Sequence, residues 1–398
     1  MISEKMKGLV NNNSVIREMF EEGKRMAQEV GAENVYDFSL GNPNVPAPEK
    51  VKETAIRLLQ EEDPVAIHGY MSNAGYPEVR RKVAESLNRR FGTSFHEDNI
   101  MMTVGAASGL NCALKALLNP GDEVLTFAPY FVEYKNYVTN YDGVLKAVEP
   151  DTETFQPNLD AFRAMITEKT KAVIINTPNN PTGVIYSEQV IRSMADIMRE
   201  KQEELGSEIF LISDEPYREL VYTDAVVPYV TKYYDNTIVC YSFSKTLSLP
   251  GERIGYLVVP DQVSNQEELF TAVTIANRII GCVNAPSLFQ KVVAECLEEK
   301  ADIAFYGKNR DTIYNALTEY GFTCIKPEGA FYLFFKTPMA NEKEFVAEAK
   351  KEHILVVPGS SFCCGGFVRL SYCVSYETIV NSLPGFKRLA EHYGLKAE

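Results

Sequence analysis

Metal ligands are scarce in this sequence of 398 residues: its four histidines, at 68, 96, 353 and 392, fall at no ligand spacing. Its eight cysteines include no C-x-x-C pair, and the adjacent Cys363 and Cys364 cannot readily bridge each other. A zinc site is therefore not expected, and scattered thiols fit a reducing cytoplasm. Long Lys/Arg runs are also missing, and the net charge is -14, which argues against nucleic acid and anionic membranes as partners. No apolar run approaches membrane-spanning length, and Met1 to Val10 lacks the apolar core of a signal peptide. Neither G-x-G-x-x-G nor G-x-x-x-x-G-K-[ST] occurs, which removes the usual dinucleotide and nucleotide readings. Internal repeats and low-complexity tracts are absent too.

What the chain has instead is alternation. Its length and a hydrophobic share of 45% allow two domains around a large core. Periodicity predicts a helix over 14–30, with Ile16, Phe20, Met26 and Val30 on or near one face. Between 35 and 44 a short strand runs into a Gly-Asn-Pro turn, and helices are expected over 49–60 and 78–90. Residues 99–118 read as strand, glycine turn and helix. Further strands are expected at 123–127, from 171 into a Pro/Gly turn ending at Gly183, and at 208–212, 237–239 and 254–259. A helix starts at Ser187, and one long helical pattern covers 290–316. Apolar stretches at 330–335, 354–357 and 367–373 then belong, with the N-terminal helix, to a smaller α+β unit. Strands alternating with helices make a mainly parallel α/β sheet, whose ligands sit at the carboxyl ends of the strands. Asn180, Asp214, Tyr217 and Lys245 all lie just past expected strand ends, and that shared position groups them into one site.

The most informative stretch is Tyr241-Ser-Phe-Ser-Lys-Thr-Leu-Ser-Leu-Pro-Gly-Glu-Arg-Ile-Gly-Tyr256, set between two apolar runs. A lysine at the mouth of a buried sheet is costly unless paired or chemically committed. Desolvation lowers its pKa, and a neutral amine can form an imine. Ser242, Ser244 and Arg253 supply donors suited to a phosphate dianion. The combination suggests pyridoxal 5'-phosphate (PLP) carried as a Schiff base on Lys245. Taken alone, the stretch also fits a surface turn. Ser242-Phe-Ser-Lys245 further fits S-x-x-K of penicillin-recognising enzymes, but Ser213-Asp214 is followed by Glu215 and no K-T-G occurs. Elsewhere, Arg369 sits inside an apolar strand and needs an anionic partner, which is either a structural carboxylate or a ligand.

The lysine stretch resembles that of the fold-type I, class I and II aminotransferases, the aspartate aminotransferase superfamily. Separate motifs extend the resemblance over nearly the whole chain: Gly41 in its Gly-Asn-Pro turn, Tyr70 before Val79-Arg80, Ala-Pro-Tyr-Phe131, Asn180-Pro-Thr-Gly183 and Val368-Arg-Leu-Ser-Tyr372. The resemblance implies a large PLP-binding domain over 47–289 with a mainly parallel seven-stranded sheet flanked by helices. A smaller α+β domain would combine 1–46 with 290–398. It also implies a homodimer with shared active sites, in which Tyr70 reaches the cofactor phosphate of the other subunit. Ala106 and Ala107, at a helix start, would join Ser242, Ser244 and Arg253 around the phosphate. Phe131 would stack on the cofactor ring, where many relatives have tryptophan; this chain contains none. Gly41 and Arg369 would meet the substrate's α-carboxylate, and Asn180 would also bind the substrate.

In that family, an ionised Asp214 holds the proton on the pyridine nitrogen, while Tyr217 and Asn180 bond the phenolate oxygen. Lys245, once displaced, moves the proton from the substrate's Cα. The implied activity is ping-pong transamination between an L-amino acid and a 2-oxo acid, like the aspartate/2-oxoglutarate pair. The same constellation serves β-C–S lyases and aminocyclopropane-carboxylate synthases, which remain the alternatives. A non-enzymatic PLP-fold regulator is the reading from another class; it would be expected to lose Lys245 or Arg369, and both are present. Ala107 stands where one bacterial subgroup has a lysine for acidic substrates, and no second arginine for a side-chain carboxylate stands out.

Overall fold

Unbroken runs of Val, Ile and Leu become strands buried on both faces, because helices cover both sides of a parallel sheet. The computed structural model describes residues 2–11 and 15–396. Seven strands form the main sheet: β1 (Ile100–Thr103), β2 (Glu123–Phe127), β3 (Val144–Val148), β4 (Thr170–Asn176), β5 (Phe210–Asp214), β6 (Thr237–Ser242) and β7 (Gly255–Val258). Their order across the sheet is β1-β7-β6-β5-β4-β2-β3. All neighbours from β6 to β3 are parallel, whereas β7 runs antiparallel to both β1 and β6. The mainly parallel seven-stranded sheet is thus present. Strands β1, β2, β5, β6 and β7 are buried at every position, whereas the edge strand β3 is half-buried along most of its length.

Helices Gly105–Leu117 and Gln266–Ile279 pack together on one face, where Leu110, Leu114 and Val273 meet Ile174 and Ile212. On the other face, Phe162, Ile191, Met194 and Met198 meet Val173 and Leu211. Each such side chain, fully buried, stabilises the fold by about 1.5–3 kcal/mol. Strands β2, β4, β5 and β6 end at one edge of the sheet, and the reversed β7 begins at that same edge.

A second, antiparallel sheet has Phe367–Ser371 between Val357–Pro358 and Tyr332–Lys336. Beside it, Tyr36–Asp37 pairs in parallel with Ile354–Leu355. The Ser371 N–H donates to Phe38 O at 2.9 Å, which ties the start of the chain to this sheet. Phe38, Phe335, Phe345, Ile354 and Phe386 fill the core here.

Three expectations change. The pattern over 290–316 is two helices, Ser287–Glu295 and Ile303–Glu319. Asp302 caps the second by accepting the Phe305 N–H at 3.1 Å, and the Ala301 N–H between them donates to Thr246 O at 2.7 Å. The short strand expected before the Gly-Asn-Pro turn is confined to Tyr36–Asp37, because the following backbone turns to meet side chains. Asp214, expected just past a strand end, is instead the last residue of its strand. The N-terminal helix runs Val15–Val30; residue 14 lies outside the described residues. Among the described residues, no helix is long and apolar enough to cross a membrane.

Candidate active site

Residues from the carboxyl edge of the seven-stranded sheet and from Phe367–Ser371 line one cavity of about 280 Å³. At one end, β1 stops at Thr103 and Gly105, with φ of 76°, turns the chain into the helix Gly105–Leu117. No side chain caps that helix, so early amides such as those of Ala106 and Ala107 are left for an anion. A Cβ at Gly105 would come within 3.0 Å of Arg253 Nη2. Arg253 enters from the start of β7 at φ of 54°, a conformation costing about 1 kcal/mol in a non-glycine residue. Its guanidinium donates to Pro250 O at 3.0 Å and reaches Val104 O at 3.5 Å, beside the helix start. Ser242 Oγ accepts the Ser244 N–H at 3.2 Å and lies 2.7 Å from Ser244 Oγ. Two hydroxyls, one guanidinium and an uncapped helix start therefore share this end of the cavity.

Lys245 sits in the single helical turn Phe243–Thr246. Its Nζ donates to Gly41 O at 2.7 Å and lies 5.2 Å from the centre of the Phe331 ring. Burial, reinforced by the nearby Arg253 and Arg369 guanidiniums, lowers its pKa to about 8. Gly41 is needed for a steric reason beyond its turn: a Cβ there would collide with the Tyr332 hydroxyl. Asp214 closes another wall. Its Oδ2 accepts the Tyr134 hydroxyl at 2.6 Å, while its buried Oδ1 has no partner. Burial pushes this carboxyl up to about 7, with the Tyr134 bond opposing and Glu215 adding to the rise. Phe131, just past β2, lines the same cavity and meets Tyr134 edge-on at 5.6 Å.

Arg369 is 2% exposed and has no carboxylate within ion-pairing distance among the described residues. Its Nη1 donates to Asn180 Oδ1 at 3.1 Å, its Nη2 to Ser39 O, and its Nε to nothing. The rings of Tyr332 and Phe362 flank it at 4.7 and 4.9 Å. Burial lowers its pKa. Asn180 is itself fixed, because its N–H donates to Asn176 Oδ1 at 2.8 Å. The Tyr217 hydroxyl, buried at the cavity wall, pairs with that of Tyr332 at 2.8 Å.

One expected residue stands apart: Tyr70 is 93% exposed and does not line the cavity of its own chain. Three others that sequence reasoning missed do line or shape the cavity, namely Tyr134, Asn176 and Tyr332. Asn176 closes β4 and carried the only available signal, a polar residue ending an apolar strand just before the Asn-Pro-Thr-Gly turn.

The family model for aminotransferase class I and II matches residues 33–383. The chain belongs to the class I and II aminotransferases. An aspartate aminotransferase from Thermotoga maritima is 33% identical to it over 88% of this chain and 90% of that one. The crystal structure of an amino transferase from Eubacterium rectale superposes with a TM-score of 0.97, at 49% identity over 99% of both chains. That of the aspartate aminotransferase from Thermus thermophilus with maleate gives 0.86, at 27% identity over 98% of this chain and 99% of that one. The enzyme is a PLP-dependent aminotransferase of fold type I. The residues present fit that cofactor. An unpartnered buried carboxylate oxygen suits a protonated ring nitrogen, and a desolvated amine suits an aldehyde carbon. The Ser242, Ser244 and Arg253 cluster at a helix start suits a phosphate.

Proposed function

We propose that this aminotransferase moves an amino group between an L-amino acid and a 2-oxo acid, with aspartate and 2-oxoglutarate the first pair to try. The observation that carries the reading is Arg369, a cation buried without a counter-ion among the described residues and presenting an unbonded Nε beside the cavity. Burying such a charge costs several kcal/mol unless something anionic arrives. A substrate α-carboxylate meets that need through two parallel bonds, which lysine's point charge would not supply. The aspartate relatives and the maleate-bound Thermus structure support an acidic donor.

PLP, when bound, is tethered through Lys245 Nζ and serves as an electron sink for the substrate's α-carbon. The chain's own groups do the rest. Ser242, Ser244, Arg253 and the Ala106 and Ala107 amides would bind the phosphate, while Phe131 would cover the ring. Asp214 Oδ1 would accept the ring N–H. Tyr217 and the Asn180 amide would donate to the ring oxygen. Arg369 and Asn180 fix the carboxylate, which sets the orientation of the Cα–H bond. Lys245, neutral once displaced, would act as the base that takes the Cα proton of the substrate.

We further propose a cytoplasmic homodimer, and two domains each built on its own sheet, 47–289 and 1–46 with 290–398. Exposed Tyr70, beside the Asn284-to-Ser72 bond at 2.9 Å and the exposed Val283, then belongs to the subunit contact. The test is the visible absorbance band of the PLP-loaded protein. L-aspartate should bleach it, 2-oxoglutarate should restore it, and Lys245→Ala should lack it. Release of pyruvate and ammonia without any acceptor acid would instead make it a lyase.

A further inference from the structure

Asp214 ends β5 with its two carboxyl oxygens in different circumstances. Oδ2 is bonded by the Tyr134 hydroxyl at 2.6 Å, and Oδ1 is buried with no partner. Tyr134 comes from the first turn of the helix Glu133–Asn140 and is itself wholly buried. Its ring cannot swing: it lies parallel to Tyr130 with centroids 6.3 Å apart, and edge-on to Phe131 at 5.6 Å. A short stretch of chain thus supplies both the aromatic wall and the one hydroxyl that reaches Asp214.

We propose that Tyr134 is a positioning residue for the cofactor, fixing the Asp214 carboxylate so that Oδ1 faces the pyridine nitrogen while its hydroxyl keeps that carboxyl ionised. The inference rests on Asp214 being the ring-nitrogen partner. An O–H donor to a carboxylate is among the stronger hydrogen bonds, and Asp214 is almost wholly buried. The groups facing the carboxyl are Tyr134 and Tyr137 from helix 133–140, Glu215 and Tyr217 from the turn after β5, and Cys240 from β6. None of these is a cation. Tyr134 is the side chain that opposes the burial pushing Asp214 up to about 7. Without it the carboxyl would hold its proton to higher pH, and a protonated Asp214 has no charge to offer a pyridinium.

The experiment measures PLP affinity of the full-length protein stripped of cofactor, from mildly acidic to mildly basic pH. It compares wild type with Tyr134→Phe, Asp214→Asn and the double variant. Tyr134→Phe should bind PLP about tenfold or more weakly at neutral pH, and its loss of affinity on acidification should begin at higher pH. The double variant should bind no worse than Asp214→Asn alone, and Tyr134→His, which keeps a donor, should recover part of the loss. If Asp214→Asn binds PLP as wild type does, the Asp214 reading fails and this inference with it. If Asp214→Asn weakens binding but Tyr134→Phe does not, the Tyr134 inference alone fails. It fails equally if Tyr134→Phe lowers only the melting temperature and leaves the pH profile of binding in place.

Discussion

Two buried arginines in this enzyme have matching surroundings and opposite electrostatics. Arg218 and Arg369 are 5% and 2% exposed, and each has two aromatic rings close to its guanidinium, those beside Arg218 being stacked on each other. Arg218 donates from Nε and Nη2 to both oxygens of Glu215, and to Val227 O and Pro228 O at 3.0 Å. Burial disfavours its charge, but the Glu215 carboxylate outweighs that and holds the guanidinium above its ordinary pKa. Arg369 has one side-chain oxygen, one backbone carbonyl and an idle Nε, and burial leaves it below its ordinary value. Enclosure alone therefore does not mark a functional cation. The missing counter-charge does.

Substitutions can break this contrast. Arg369→Ala should lower kcat/KM for the amino donor about a thousandfold or more, with the melting temperature held or raised, because an uncompensated buried charge is removed. A loss of only a few fold in steady-state kinetics would erase the distinction. Arg218→Ala should do the reverse. It strands Glu215 and costs about 3–5 kcal/mol, a fall of roughly 5 °C in the thermal midpoint, while the folded enzyme keeps kcat/KM within a few fold.

Two further tests sharpen the contrast. Asn180→Ala, which removes the side-chain oxygen that orients Arg369, should raise the donor KM about tenfold. Lys245 titrates near 8, so the rate at which PLP adds to the stripped protein should rise with pH and level off above about 8. Arg369→Met removes a positive neighbour of that amine, which raises its pKa and moves the plateau upward. Arg218→Met should leave the plateau in place, since Arg218 is not among the charges acting on Lys245.

Much of the architecture could be read from alternation, because strands covered on both faces must be apolar throughout and helices must be periodic. The break between Glu295 and Ile303 could not. Cys296-Leu-Glu-Glu-Lys-Ala-Asp302 contains no Gly or Pro, and its interruption is set by the bond from Ala301 to Thr246 in another part of the chain. The site divides in the same way. Residues at strand ends announce themselves by position, whereas Tyr134 and Tyr332 act through partners 80 and 115 positions away and look like core aromatics along the chain. Arg369 was legible as an oddity, but only its surroundings, with no carboxylate within ion-pairing distance among the described residues, separate it from Arg218.

The antiparallel return of β7 onto β6 has one more consequence. Ser242 pairs with Gly255, so the excursion bearing Lys245 and Arg253 is cinched at its base. A Cβ at Gly255 would run into Tyr241 O, so the cinch has no slack. Lys245 and Arg253, the proposed tether and phosphate clamp, thus ride on one closed loop, like the jaws of a caliper locked at a single setting. Lengthening that loop by a residue would reset the gauge for any molecule spanning the two jaws, whatever the rest of the cavity became.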